Sequence, residues 1–70
     1  MMEIKGIIVD KPLKMWDETV AFSVQTIEND IYKIHYIGSL KLEKYTYVKI
    51  YLQEDTKASS YSVVDNITVL

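Results

Sequence analysis

The stretch "DIYKIHYIG" (residues 30–38) predicts a β-strand, because its side chains alternate in type along most of its length. Tyr32, Ile34 and Tyr36 share one parity, which we expect to face a core. The other parity mixes a lysine and the only histidine of the chain with two isoleucines, in the order Ile31, Lys33, His35 and Ile37. A face that contacts only water would not carry an isoleucine at each end, so this outer face is expected to meet a ligand or a partner.

The segments before and after this strand alternate in the same way. "TVAFSVQTI" (19–27) and "TYVKIYLQE" (46–54) carry apolar residues at every second position, the pattern of a half-buried antiparallel strand. The short polar "END" (28–30) predicts a hairpin between the strands at 19–27 and 31–37. The expected core residues of the two segments are Val20, Phe22, Val24, Val48, Ile50 and Leu52, and the expected outer residues are Thr19, Ala21, Ser23, Gln25, Tyr47, Lys49, Tyr51 and Gln53.

Two further segments complete the predicted sheet. "EIKGIIV" (3–9) is rich in β-branched residues, and Gly6 in its middle predicts a bend at which this first strand pairs with both the second and the fourth strands. "YSVVDNITVL" (61–70) is predicted to be one last strand. The segments expected to be loops or minor turns are 10–18, 39–45 and 55–60.

Five strands without sustained helical periodicity predict one all-β domain over residues 1–70. An open sheet of this size would expose an apolar face and two unpaired edges, and closing the sheet removes both problems. We therefore expect a small five-stranded antiparallel barrel, closed or partly open, with Leu40 and Leu42 covering one end. An SH3-like barrel has the same strand count, and the periodicity does not separate the two architectures.

The composition excludes several kinds of site. The 70-residue chain has no cysteine and one histidine, so neither disulfides nor thiolate-rich or histidine-rich metal sites are expected. Eight lysines and ten acids give a net charge of −2, which argues against a dense basic surface for duplex DNA. No apolar run approaches the roughly 18 residues of a membrane span, and the N-terminus lacks a signal-peptide layout. A soluble cytoplasmic protein without membrane contact is the expectation.

The chain resembles the OB-fold of nucleic-acid-binding domains, in particular the replication protein A-like and anticodon-binding types. The resemblance lies in "IKGIIV" (4–9), in the hairpin "TVAFSVQTIENDIYKIHYIG" (19–38), in "SLKLEKYTYVKIYLQ" (39–53) and in the closing "SVVDNITVL" (62–70). The chain departs from the family at "EKYT" (43–46), where a glycine is usual, and the segment 39–45 is too short for the helix that often covers the barrel. The residues that match the family's patterns are Ile4, Gly6 and Ile8 for V-x-G-x-V, Phe22 and Val24 for F-x-V, and Ile67 and Leu70 for I-x-x-L.

The resemblance implies a surface that binds single-stranded DNA or RNA. This surface is the outer face of the second and third strands, bordered by the loops at 10–18 and 55–60. Lysines would contact phosphates there while bases stack on aromatic rings. For Trp16 the residue type favours a ring that caps one end of the barrel, with base stacking as the alternative. The implied nucleic-acid-binding residues are Lys14, Trp16, Ser23, Gln25, Lys33, His35, Lys57 and Tyr61.

The alternative function is protein interaction, as a binding module, a homo-oligomer or a subunit of a larger complex. Exposed Ile31 and Ile37, the outward tyrosines of the fourth strand and the lack of arginine suit a protein contact better than a phosphate track. An enzyme is not expected, because His35 has no nucleophile or base paired with it in the pattern. Neither a glycine-rich phosphate loop nor a set of metal-spaced ligands occurs, and no cofactor is expected.

Overall fold

A computed structural model describes residues 2–52 and 61–70 of the chain. The described residues form an all-β structure without a helix, as the alternating pattern predicts. Accordingly, no helix long and apolar enough to cross a membrane occurs in them. The strands are β1 (Met2–Ile8), β2 (Leu13–Lys14), β3 (Val20–Thr26), β4 (Ile31–Tyr36), β5 (Tyr47–Leu52), β6 (Ser62–Val64) and β7 (Ile67–Val69).

The strands form one sheet in the order β6-β4-β3-β1-β5-β7, with β2 paired to β3. The pairings are antiparallel except that of β4 with β6, which is parallel. The two ends of this order, β6 and β7, are neighbours in the chain, separated only by Asp65 and Asn66. The sheet therefore curls into a barrel-like shape, with β6 also in contact with β5.

The last strand differs from its prediction. The sequence predicts one strand over 61–70, whereas the structure breaks it into β6 and β7 at a bend at Asp65. The break lets one short segment pair with β4 on one edge of the sheet and with β5 on the other. The predicted fourth strand corresponds to β5, and the last two predicted residues of that strand, 53 and 54, lie outside the described residues.

Gly6 lies where β1 meets both of its neighbours, as the sequence predicts. It is opposite Thr26 of β3 and opposite Val48 of β5. A side chain at this position would run into the main chain of Gln25, because an added Cβ would meet the carbonyl oxygen of Gln25 and lie 2.8 Å from its carbonyl carbon. The close approach of β1 to β3 therefore requires glycine.

The core is built from the parity that the sequence assigns to it. Val24, Ile34 and Ile50 have no exposed surface, and Tyr32 packs against the core from a half-buried position. Two expectations were wrong. Leu40 is exposed while Leu42 is buried, so only Leu42 adds to the core. The remaining buried apolar residues are Ile4, Ile8, Phe22, Tyr36, Val48, Leu52, Val64 and Ile67.

Thr19 is the second error, since it is buried although its parity places it outside. Its amide and its hydroxyl both donate to Oδ1 of Asp17, at 3.1 and 2.7 Å. Thr19 precedes β3, and this local bonding rather than the strand pleat sets the direction of its side chain.

Candidate functional site

The outer faces of β3 and β4 form a continuous surface whose register the hairpin defines. Ser23 lies opposite Lys33, and Ala21 lies opposite His35. The row through Ala21 and His35 continues on both sides, because Leu13 pairs with Ala21 and Val63 pairs with His35. His35 therefore has an apolar residue on either side of it, Ala21 on β3 and Val63 on β6.

His35 stacks on Tyr61. The two rings have their centroids 4.0 Å apart and their planes at 21°. Tyr61 reaches this position because β6 runs parallel to β4, with Ser62 opposite Ile34. Tyr61 is 47 % exposed, so the stacked pair offers aromatic surface beside Lys33.

Trp16 lies at the tip of a hairpin formed by β2 and β3. The amide of Met15 donates to the carbonyl of Thr19 at 2.7 Å, and the amide of Glu18 donates to the carbonyl of Met15 at 3.1 Å. Glu18 closes the turn in the left-handed region with a φ of 72°. The side chain of Trp16 is 92 % exposed, so the expectation that it caps the barrel is wrong. The expectation of an unstructured loop at 10–18 also needs correction, because β2 lies within it.

Asp17 holds this turn together through its two hydrogen bonds from Thr19. A carboxylate that accepts hydrogen bonds is favoured over its neutral form. The hydroxyl of Thr19, followed by its amide, therefore lowers the pKa of the Asp17 carboxyl below its ordinary value of 3.8. The turn that presents Trp16 is thus stabilised by an ionised side chain.

The charges around this surface nearly balance. Lys14 on β2 forms an exposed ion pair with Glu18, with Nζ and Oε2 3.1 Å apart. Lys33 is exposed, and Asp10 is engaged in accepting a hydrogen bond from the amide of Ser23 at 2.8 Å. A shallow pocket of about 170 Å³ opens between these groups and His35. In the part of the chain that the structure describes, no cluster of metal-binding side chains occurs.

The structure brings together only some of the residues proposed from the sequence. Ser23, Lys33, His35 and Tyr61 share one surface, and Lys14 and Trp16 lie on the hairpin at its edge. Gln25 lies towards the other end of β3, where its side-chain amide donates to Oδ1 of Asn29 at 3.3 Å. Lys57 lies outside the described residues.

Three residues of this surface were missed by sequence analysis. The pocket beside His35 is also lined by Asp10, Lys11 and Leu13. Leu13 belongs to a strand of two residues, which is too short for a period of two to be visible. We define the outer surface of Leu13, Trp16, Ser23, Lys33, His35 and Tyr61 as the ring face.

Comparisons with known proteins found no match for this chain among protein-family models, curated proteins and solved structures.

Proposed function

We propose that the protein is a small, non-enzymatic module that binds single-stranded DNA or RNA through the ring face. The observation that carries the proposal is a set of accessible rings beside a lysine on one surface. Trp16 is almost fully exposed at the hairpin tip, and the stacked rings of His35 and Tyr61 lie next to Lys33. Bases stack on such rings irrespective of their sequence, and a lysine can follow the phosphates.

We propose further that the barrel has the OB arrangement. Support comes from the first strand, which pairs with both β3 and β5, and from the parallel pair of β4 and β6. A barrel built only of successive antiparallel hairpins would have no parallel pair, which favours the OB arrangement over the SH3-like one. In an OB-fold the ligand surface is the face of the second and third strands, and here these are β3 and β4. The cytoplasmic location expected from the sequence belongs to the same proposal.

Stacking rather than charge supplies most of the affinity in this proposal. Base stacking on an aromatic side chain contributes roughly 1–3 kcal/mol per base. Only three described lysines, Lys11, Lys14 and Lys33, lie on or beside the ring face, and Lys14 is paired with Glu18. Truncating Trp16 should therefore weaken binding more than removing any one lysine.

The test compares Trp16→Ala with Ile27→Ala. Ile27 is a matched control, because it occupies the same position in the β3–β4 hairpin and is 89 % exposed. Both hairpins close in the same way. Asn29 takes the place of Glu18 with a similar positive φ, and the amide of Asn29 donates to the carbonyl of Thr26 at 3.0 Å. Binding of labelled oligo-dT and oligo-U is measured by fluorescence anisotropy at low salt, with the emission of the single tryptophan as a second signal.

We expect the wild-type protein to bind with quenching of Trp16, and Trp16→Ala to bind about tenfold more weakly, which equals the lower part of the stacking range. Ile27→Ala should bind like the wild type. Failure of the wild-type protein to bind either oligonucleotide at millimolar concentration would refute the proposal, as would an equal loss in both variants.

A second candidate function is contact with a protein, either a partner or another copy of the chain. It is favoured by the exposed aliphatic residues that border the ring face, including Ile31 at 61 % and Val63 at 54 % exposure. Contiguous exposed apolar patches mark sites where proteins meet. Analytical ultracentrifugation distinguishes self-association from nucleic-acid binding. A concentration-dependent dimer that oligonucleotide does not dissociate supports self-association, and a monomer at all concentrations argues against self-association.

A further inference from the structure

A groove separates the first half of β1 from the β3–β4 hairpin, at the end of β3 remote from Trp16. It comprises a cavity of about 340 Å³ whose walls include Glu3, Lys5, Thr26 and Tyr32. A second cavity of about 450 Å³ adjoins it, and the two share Thr26, Ile27 and Tyr47 as lining residues. We call the two together the β1 groove.

One wall of the β1 groove is a strand edge. The amide of Ile8 donates to the carbonyl of Thr46 at 2.9 Å, and the carbonyl of Ile8 accepts a hydrogen bond from the amide of Tyr45 at 2.7 Å. The backbone groups of Ile8 therefore face β5. Successive residues of a strand direct these groups to opposite sides. The amides and carbonyls of Glu3 and Lys5 therefore face away from β5, towards the groove.

Nothing in the described residues pairs with this edge. The pairing of β1 with β3 begins only at Gly6, which leaves residues 2–5 next to β5 alone. No residue of the described chain is paired with Glu3 or Lys5 on this side of β1, because the ladder with β3 ends at the pair of Gly6 and Thr26. An unpaired strand edge of this kind is a template for a further strand.

A polar atom inside the groove also lacks a partner. The hydroxyl of Thr26 is buried and forms no hydrogen bond with the residues that the structure describes. It lies on the side chain that lines both cavities. A buried hydroxyl without a partner is unfavourable, and a peptide in the groove would bond to it only after the Thr26 side chain turned towards the cavity.

The charge of the groove selects the partner. The smaller of its two cavities is lined by one lysine, Lys5, and by three carboxylates, those of Glu3, Glu28 and Asp30. Glu3 also forms an ion pair with Lys49, with Oε1 of Glu3 and Nζ of Lys49 3.8 Å apart, and both side chains are partly exposed. The exposed Ile27 beside these acids adds an apolar contact. A segment with a basic side chain flanked by aliphatic ones complements this lining.

We infer that the β1 groove binds an extended peptide segment of a partner protein, which adds as an antiparallel strand to residues 3–5 and places a basic side chain opposite Glu3. Residues directly opposite each other in such a pair share one face of the sheet, so the basic side chain meets Glu3. This site is distinct from the ring face, and it does not depend on nucleic-acid binding.

The test titrates the peptide Ac-Val-Thr-Val-Lys-Val-NH2 into isotopically labelled protein and follows the backbone amides by NMR. In the inferred register its lysine lies opposite Glu3 and its threonine opposite Lys5. We expect saturable shifts at the amides of Glu3, Lys5 and Thr26, with the ring face unaffected. Replacing the peptide lysine by glutamate should weaken binding up to about fivefold. Methylating the backbone amide nitrogen of that lysine should abolish binding, because it removes the donor that pairs with Glu3.

Lys5→Pro and Lys5→Ala form a matched pair of variants. Both remove the lysine charge, but only proline removes the amide that faces the groove, and the β1–β5 bonds do not use that amide. We expect Lys5→Ala to bind at least as tightly as the wild type, because it removes the one positive charge of this lining, and Lys5→Pro to bind at least tenfold more weakly than Lys5→Ala. Shifts absent at Glu3 and Lys5 with millimolar peptide, or equal binding of the native and N-methylated peptides, would overturn the inference even if Lys5→Pro failed to fold.

Discussion

At the scale of single residues, the least expected feature is the backbone of Tyr45. Its φ is 70°, in the left-handed region that glycine and asparagine adopt far more readily than a bulky residue. The position lies in "EKYT" (43–46), where the sequence departs from the OB pattern by lacking a glycine. The amide of Tyr45 donates to the carbonyl of Ile8 at 2.7 Å, and this bond holds the turn that leads into β5 with Tyr45 in the left-handed conformation.

Replacing Tyr45 should therefore stabilise the protein when the new residue tolerates a positive φ. We expect Tyr45→Asn to raise the free energy of unfolding by about 0.5–1 kcal/mol, since the left-handed conformation costs an ordinary residue roughly 1–2 kcal/mol. Tyr45→Ala is the control, because it removes the 70 % exposed ring but retains the strain. Urea denaturation measures both variants, and an Asn variant no more stable than the Ala variant would contradict this explanation.

At the scale of elements, the two hairpins that flank β3 show how far local sequence reaches. Asn29 is a residue type that accepts a left-handed φ, so the hairpin at 28–30 was predictable from its composition. Glu18 takes the same conformation in the β2–β3 hairpin without any such signal. This second hairpin depends on the bonds between Asp17 and Thr19, which side-chain periodicity does not reveal, so the sequence predicts only a loop at 10–18.

The β2–β3 hairpin should loosen in acid. Because the pKa of Asp17 is lower in the folded protein than its ordinary value of 3.8, the carboxylate contributes to stability above that pH. The contribution is lost as the pH falls through the lower, folded value. We expect the amide resonance of Thr19 to titrate with a midpoint below pH 3.8.

Asp17→Asn is the companion variant, since its side chain does not ionise. Its Thr19 amide should show no step of this kind, and the fluorescence anisotropy of Trp16 should report a more mobile tip at neutral pH than in the wild type. A midpoint at or above 3.8 in the wild-type protein would show that the two hydrogen bonds from Thr19 do not favour the ionised form.

At the scale of the whole molecule, the balance of charge sets how nucleic acid would be bound. The net charge is −2, and the described lysines on or beside the ring face are Lys11, Lys14 and Lys33. Each phosphate contact on a single strand contributes a slope of about −0.7 in a plot of log K against log salt. Three such contacts predict a slope of about −2.1, still far shallower than that of a strongly basic binding protein.

Releasing Lys14 should strengthen binding. Glu18→Gln removes the partner of Lys14 at the edge of the ring face, so we expect oligonucleotide affinity to rise two- to fivefold at low salt. Near 0.5 M salt, where charges are screened to within about 4 Å, the affinity of the variant should return to the wild-type value. Glu28→Gln changes the net charge equally at the remote hairpin and serves as the control. Equal gains in both variants, measured by anisotropy, would point to net charge instead of the local ion pair.

The sequence by itself determined the all-β class, the hairpin of β3 and β4, the position of Gly6 and most of the core. These features follow from the alternation of side chains along each strand, which is a local property. Only the tertiary structure decided the break between β6 and β7, the parallel pairing of β4 with β6, the stacking of His35 on Tyr61 and the exposure of Trp16. Each of these depends on which distant segments meet when the sheet curls, and side-chain periodicity contains no information about such partners.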